Sequence, residues 1–141
     1  MNDKLLIMSN SSPSTDTSGR LRPHPSERFA PAAQLIDLRA AAADLAREAA
    51  SAPNRHRQKT LIRYGHTTVA LFHFSQGATM PEHLARGTVS IHVLEGQMSV
   101  RTAEQQHSLR AGQILVLAPN VKHDLHADQE CQMLLTVHLE T

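Results

Sequence analysis

His83, His92 and His123 are the side chains whose types and setting could do chemistry. His83 ends the stretch GATMPEH that opens at Gly77, His92 lies inside TVSIHVLE (88–95), and His123 ends GQILVLAPNVKH, which opens at Gly112. Imidazole is the commonest protein metal ligand and the side chain that gains and loses a proton near neutral pH. Ten of the 141 residues are histidine, so the imidazoles are worth tracing along the chain. Read at period two, Ser90, His92 and Leu94 share one face of a strand, and Val89, Ile91 and Val93 share the other. A histidine then stands where a strand puts core side chains, the first sign of a site inside a β-structure.

The elements that must position these residues follow from pattern. Residues 1–33 are polar, rich in Ser and Pro and without period, so a disordered or extended tail is expected there, with His24 exposed. Within 34–56 a helix is expected: Leu35, Leu38, Ala42, Leu45 and Ala49 recur at helical spacing, with Asp37 as N-cap and a stop at Ser51–Pro53. Its narrow, small apolar face suits packing on the outside of another layer. From 57 to 141 the pattern is β. Strands are expected near 58–64, 67–75, 79–84, 88–95, 97–103, 106–110, 113–118, 121–126 and 132–140, with turns at Gly65, Gly77, Gly87, Gly96, Gly112, Asn120 and Asp128. Evenly spaced short strands mean an all-β sandwich or barrel. Ile114–Leu117 and Met133–Val137 are apolar on both faces, so a second layer, the helix or a second subunit must cover the outer one. A homodimer is therefore expected.

Composition closes several function classes. A formal charge of +1 gives no field for nucleic acid, and an aromatic content of 3% argues against base-stacking surfaces. No apolar run approaches the roughly 18 residues that span a bilayer, and the start of the chain has too short an apolar core for a secretory signal. A lone cysteine, Cys131, forms no internal disulfide and reads as a buried small hydrophobe. A cytoplasmic setting is the default. No G-x-S-x-G elbow, P-loop or G-x-G-x-x-G is present.

Two segments share a layout: Gly77…His83…Glu95-Gly96, and Gly112…Pro119-Asn120…His123. This layout resembles the two motifs of the cupin family, small jelly-roll barrels also described as double-stranded β-helices. The resemblance covers about 58–140 and is most specific in IHVLEGQMSV and AGQILVLAPNVKHDL. It implies an all-β cupin barrel preceded by the helix, of the small single-domain kind. Gly77 and His83 match the first motif, Ala85 stands where a second His is usual, Ser90 stands at the Glu position, and Gly96 matches the closing Gly. In the second motif Gly112 and His123 match, Ala118 replaces Pro, and Asn120 replaces a turn Gly, a mild change because Asn tolerates the left-handed region.

The family's metal site is usually three His and one Glu on the inner wall. The resemblance implies His83 and His123 as ligands, with His92 as a third if the Ser90 face points inward. Three imidazoles with open positions suit a divalent ion such as Zn, Ni, Fe, Mn or Cu, which could activate water or polarise a carbonyl. Met80, Ser90, Leu94 and Leu115 are expected to shape a ligand pocket, with His73 a further candidate. The alternative for these histidines is a hydrogen-bonded lining without metal. His56, His66, His107, His126 and His138 receive no role, and Glu82 should face away from His83 by alternation. Three functional readings remain: a cupin holding a divalent metal and a small organic ligand, a metal-free, non-enzymatic module that binds or senses a small molecule, or a mainly structural dimer whose pocket has decayed. Whether the chain is an enzyme is left open.

Overall fold

The structure is a computed structural model, and it describes residues 31–49 and 55–140. The expected tail, apart from 31–33, and the expected helix stop at Ser51–Pro53 lie outside the described residues. The helix α1 spans Leu38–Ala49. Asp37 caps it: its Oδ1 accepts from the Ala40 amide at 3.1 Å, and its carbonyl accepts from the Ala41 amide at 3.0 Å.

Nine strands follow: β1 (His56–Tyr64), β2 (Thr67–Phe74), β3 (Thr79–His83), β4 (Gly87–Glu95), β5 (Gln97–Thr102), β6 (Gln106–Arg110), β7 (Ile114–Leu117), β8 (His123–Ala127) and β9 (Cys131–Leu139). Every expected strand is present. They form two antiparallel sheets, one ordered β1-β2-β9-β4-β7 and the other β3-β8-β5-β6. Non-consecutive neighbours such as β9 and β4 arise because the chain crosses repeatedly between the sheets, as in a jelly roll.

The core lies between the two sheets. Ala70, Phe72 and Phe74 of β2 alternate inward, and the two phenyl rings stack with centroids 5.7 Å apart. Val89, Ile91 and Val93 of β4 and Met133, Leu135 and Val137 of β9 share that inner face. The second sheet contributes Met98, Val100, Leu109 and Leu125. Burying each large side chain contributes about 1.5–3 kcal/mol. A smaller cluster lies on the outer face of the five-stranded sheet, where Ala42 and Leu45 of α1 cover Leu71, flanked by Leu61, Leu94 and Leu134. The helix is thus the outside layer that its narrow face implies.

Two turn positions carry conformational demands. Asn120 has φ 66°, in the left-handed region where Asn is tolerated. Gly96 has φ 85°, and a Cβ there would meet the Glu130 carbonyl oxygen at 2.1 Å, so the β4–β5 turn closes against the start of β9. Gly87, expected in a turn, lies at the head of β4, and a Cβ on it would strike the His138 carbonyl oxygen at 2.1 Å.

No helix among the described residues is long and apolar enough to cross a membrane.

Candidate functional site

The mouth of the barrel between β3 and β8 is built by one irregularity. Met80 pairs with Leu125, and His83 pairs with His123, so between these pairs two residues on β3, Pro81 and Glu82, oppose one on β8, Asp124. That extra residue is a β-bulge, and it reverses the alternation. Pro81 sits in it, where a residue without an N–H is tolerated. Met80 is buried in the barrel core, and the bulge returns His83 to the side of His123.

The two imidazoles meet there, with ring centroids 4.4 Å apart and planes at 58°. Each is fixed in the same way. His83 Nδ1 lies 2.8 Å from the Pro81 carbonyl oxygen, and His123 Nδ1 lies 2.9 Å from that of Val121. A carbonyl only accepts, so both Nδ1 atoms carry a proton, and in the neutral ring Nε2 then carries the lone pair. His123 is only 3% exposed. Burial pushes its pKa below the ordinary value, outweighing the opposite pull of the Val121 hydrogen bond and the Asp124 charge. His123 is therefore a neutral imidazole at pH 7. The pair offers two oriented acceptor nitrogens at the rim of an apolar barrel, with Ala85 and Val121 packed against the core nearby.

His92 does not join them. The inward face of β4 is Val89, Ile91 and Val93, exposed by 4%, 0% and 0%. The expected inward face, Ser90, His92 and Leu94, points away from the barrel interior. Ser90 stands between Val116 and Thr136, His92 between Ile114 and Leu134, and Leu94 packs into the helix-side cluster. The physical reason is bulk: β-branched Val, Ile and Val fill the narrow interior, and the mixed Ser-His-Leu face meets the outer layer. The inward position beside the expected Glu site is Val89, which has no donor atom on its side chain.

The remaining pocket candidates also separate. Leu115 is half-buried against the barrel core, whereas His73 lies beneath the helix. His73 is 4% exposed, its Nε2 donates to Glu130 Oε2 at 2.9 Å, and Gln132 Nε2 lies 3.4 Å from its Nδ1 while also donating to the Ala42 carbonyl at 3.2 Å. It ties the helix to the sheet. His138 Nδ1 meets Thr67 Oγ1 at 2.8 Å on the outer face. Cys131 is buried, and desolvation together with the Asp128 and Glu95 charges pushes its thiol up to about 12, so it is the inert small hydrophobe expected.

The family's metal does not fit this donor set. Ala85 and Val89 supply no ligand, His92 lies on the other face, and among the described residues no group of three or more His, Cys, Asp or Glu could hold a metal ion.

Comparison with known proteins agrees with the fold. Residues 70–138 match the family model described as Cupin domain. A protein of unknown function from Streptococcus pyogenes, SPY1581, is similar in structure, with 21% identity, a TM-score of 0.62, and coverage of 79% of this chain and 91% of that one. A cupin superfamily protein from Desulfitobacterium hafniense is 18% identical, with a TM-score of 0.60 and coverage of 64% and 83%. KdgF from Halomonas sp. is 17% identical, with a TM-score of 0.56 and coverage of 64% and 84%. A search among curated proteins finds no match.

Proposed function

We propose that this chain, a small cupin-domain protein, binds a small organic molecule at the barrel mouth without a metal, and that Nε2 of His83 and of His123 accept hydrogen bonds from it. The observation that carries this reading is the imidazole pair itself, with rings 4.4 Å apart and each Nδ1–H spent on the backbone carbonyl two residues back. A lone-pair nitrogen in apolar surroundings, as on the buried His123, favours a ligand that brings a donor. The two Nε2 atoms together select a molecule with neighbouring hydroxyl or N–H groups. A neutral His123 adds no charge, so the ligand need not be an anion.

A divalent metal is the weaker reading for these residues. Two imidazoles are one short of the three protein ligands of a catalytic zinc site.

The test is a melting-temperature screen of hydroxyl- and amide-bearing small molecules on protein stripped with chelator. A ligand at about 100 times its Kd stabilises by about 2.7 kcal/mol. The expected outcome is a shift that survives chelation and disappears in His83→Ala. A shift that requires added metal, or no shift across the panel, overturns the reading.

The expected homodimer is proposed on the outer face of the five-stranded sheet, beyond the helix. Ile114 and Val116 are each 58% exposed there, in register with His92 and Ser90. Sedimentation should show a dimer that Val116→Lys dissociates, and a wild-type monomer would refute it.

A further inference from the structure

The outer face of the four-stranded sheet carries a groove of about 590 Å³, separate from the barrel mouth. Two adjacent rungs of the sheet line it. On one, Thr79 of β3 and Ser99 of β5 flank His126 of β8. On the next, Asp124 of β8 and Gln106 of β6 flank Arg101 of β5.

The charges of the groove are held against one another. Arg101 donates to Asp124 Oδ2 from Nη2 at 2.9 Å and from Nε at 3.2 Å. His126 Nδ1 lies 2.9 Å from Asp128 Oδ1, and Ser99 Oγ donates to Asp128 Oδ2 at 2.7 Å. The Asp128 carboxylate accepts from Nδ1–H, so His126 turns its Nε2 outward, an acceptor in the neutral ring and a donor in the protonated one. Arg101 and Asp124 neutralise each other, and the remaining carboxylates, Glu82 and Asp128, make the groove unfavourable to an anion. The groove keeps a set of fixed hydrogen-bonding atoms of both kinds. Nη1 of Arg101 and the Gln106 amide donate, Oδ1 of Asp124 accepts, and Nε2 of His126 adds a further polar atom. Glu82 at the rim adds a further acceptor, and the ring of Pro81 offers an apolar surface.

Vicinal hydroxyl groups both donate and accept, and a pyranose ring adds a C–H face that can lie on an apolar surface. The groove volume is within the range of about 300–1,000 Å³ typical of small-ligand pockets. We propose that this groove is a second binding site, for a neutral polyhydroxylated molecule of the carbohydrate class. The unpaired carboxylate of Glu82 and the neutralised guanidinium of Arg101 disfavour an acidic sugar. This site is independent of the reading of the barrel mouth.

The experiment titrates methyl glycosides of glucose, galactose and mannose, and glucuronate, into the ¹⁵N-labelled full chain. The expected result is amide shifts in β3, β5 and β8 with at least one neutral glycoside, and weaker binding of glucuronate. Arg101→Met and Gln106→Ala should each weaken binding tenfold or more. Gln106 is exposed on an edge strand, so its variant keeps the fold even if loss of the Arg101–Asp124 pair disturbs β5. The assignment is overturned by an absence of amide shifts with every glycoside, by shifts centred on His83 and His123, by glucuronate binding more tightly than the neutral glycosides, or by unchanged affinity in Gln106→Ala.

Discussion

His73 and His123 are almost equally buried, at 4% and 3% exposure, and they do opposite work. His73 lies on the outer face of β2 with both ring nitrogens engaged by the protein: Nε2 by Glu130, and Nδ1 by a Gln132 that also holds the helix through Ala42. His123 lies on the inner face of β8 with Nδ1 held by a backbone carbonyl, and its ring leans on another imidazole at a barrel rim. Their exposure is nearly the same, so burial does not separate a structural histidine from a binding one. The partner of each nitrogen does.

The largest expected effect breaks the structural member. His73→Ala removes two hydrogen bonds and opens a void under the helix, and it should lower stability by about 2 kcal/mol. Denaturant titration measures this. The melting-temperature shift given by a ligand of the barrel mouth should be unchanged in the variant. A variant as stable as the wild type would show that the Glu130–His73–Gln132 chain does not anchor the helix.

A smaller effect comes from the neutrality of His123. Its folded pKa is lowered, so the unfolded chain binds the extra proton first as pH falls. The stability that His123 contributes is therefore full above its ordinary pKa of 6.5 and is lost as pH drops toward the lower folded value. One proton gives a slope of at most about 1.4 kcal/mol per pH unit in that window. Comparing denaturation curves between pH 7.5 and 5 for the wild type and His123→Phe should show the slope in the first and its loss in the second. An equal slope in both would place the titration elsewhere.

The same contrast shows what sequence could and could not display. Strand positions were legible because Gly65, Gly77, Gly96, Gly112 and Asn120 punctuate them, and each adopts the positive φ that its turn needs. The helix start was legible in Asp37, and the approach of His83 to His123 was legible only through the resemblance of their two segments to the cupin motifs. Facing was harder. On β4 both faces carry apolar residues, so alternation alone did not say which is inside, and the interior took the β-branched set Val89, Ile91 and Val93. On β3 the bulge at Pro81 shifts parity between Met80 and His83, which no count at period two reveals. The outer groove rests on cross-strand pairs such as Arg101–Asp124, whose register depends on how β5 meets β8. That register is a property of the assembled sheets and has no local signature.

The smallest effect sharpens the division between the two faces. Asp37 caps α1 through Ala40, and removing such a cap costs about 1 kcal/mol. The helix covers Leu71 and flanks Leu94 and Leu134, all on the outer face of the five-stranded sheet, whereas the imidazoles meet on the β3–β8 pair of the other sheet. Asp37→Ala should therefore loosen one side of the barrel only. Amide exchange is expected to quicken in α1 and around His73, while β3 and β8 keep their protection and the mouth keeps its ligand. If the amides of His83 and His123 lost protection to the same degree, the two faces would be one cooperative unit. The independence of the structural and the binding histidine would then fail at its root.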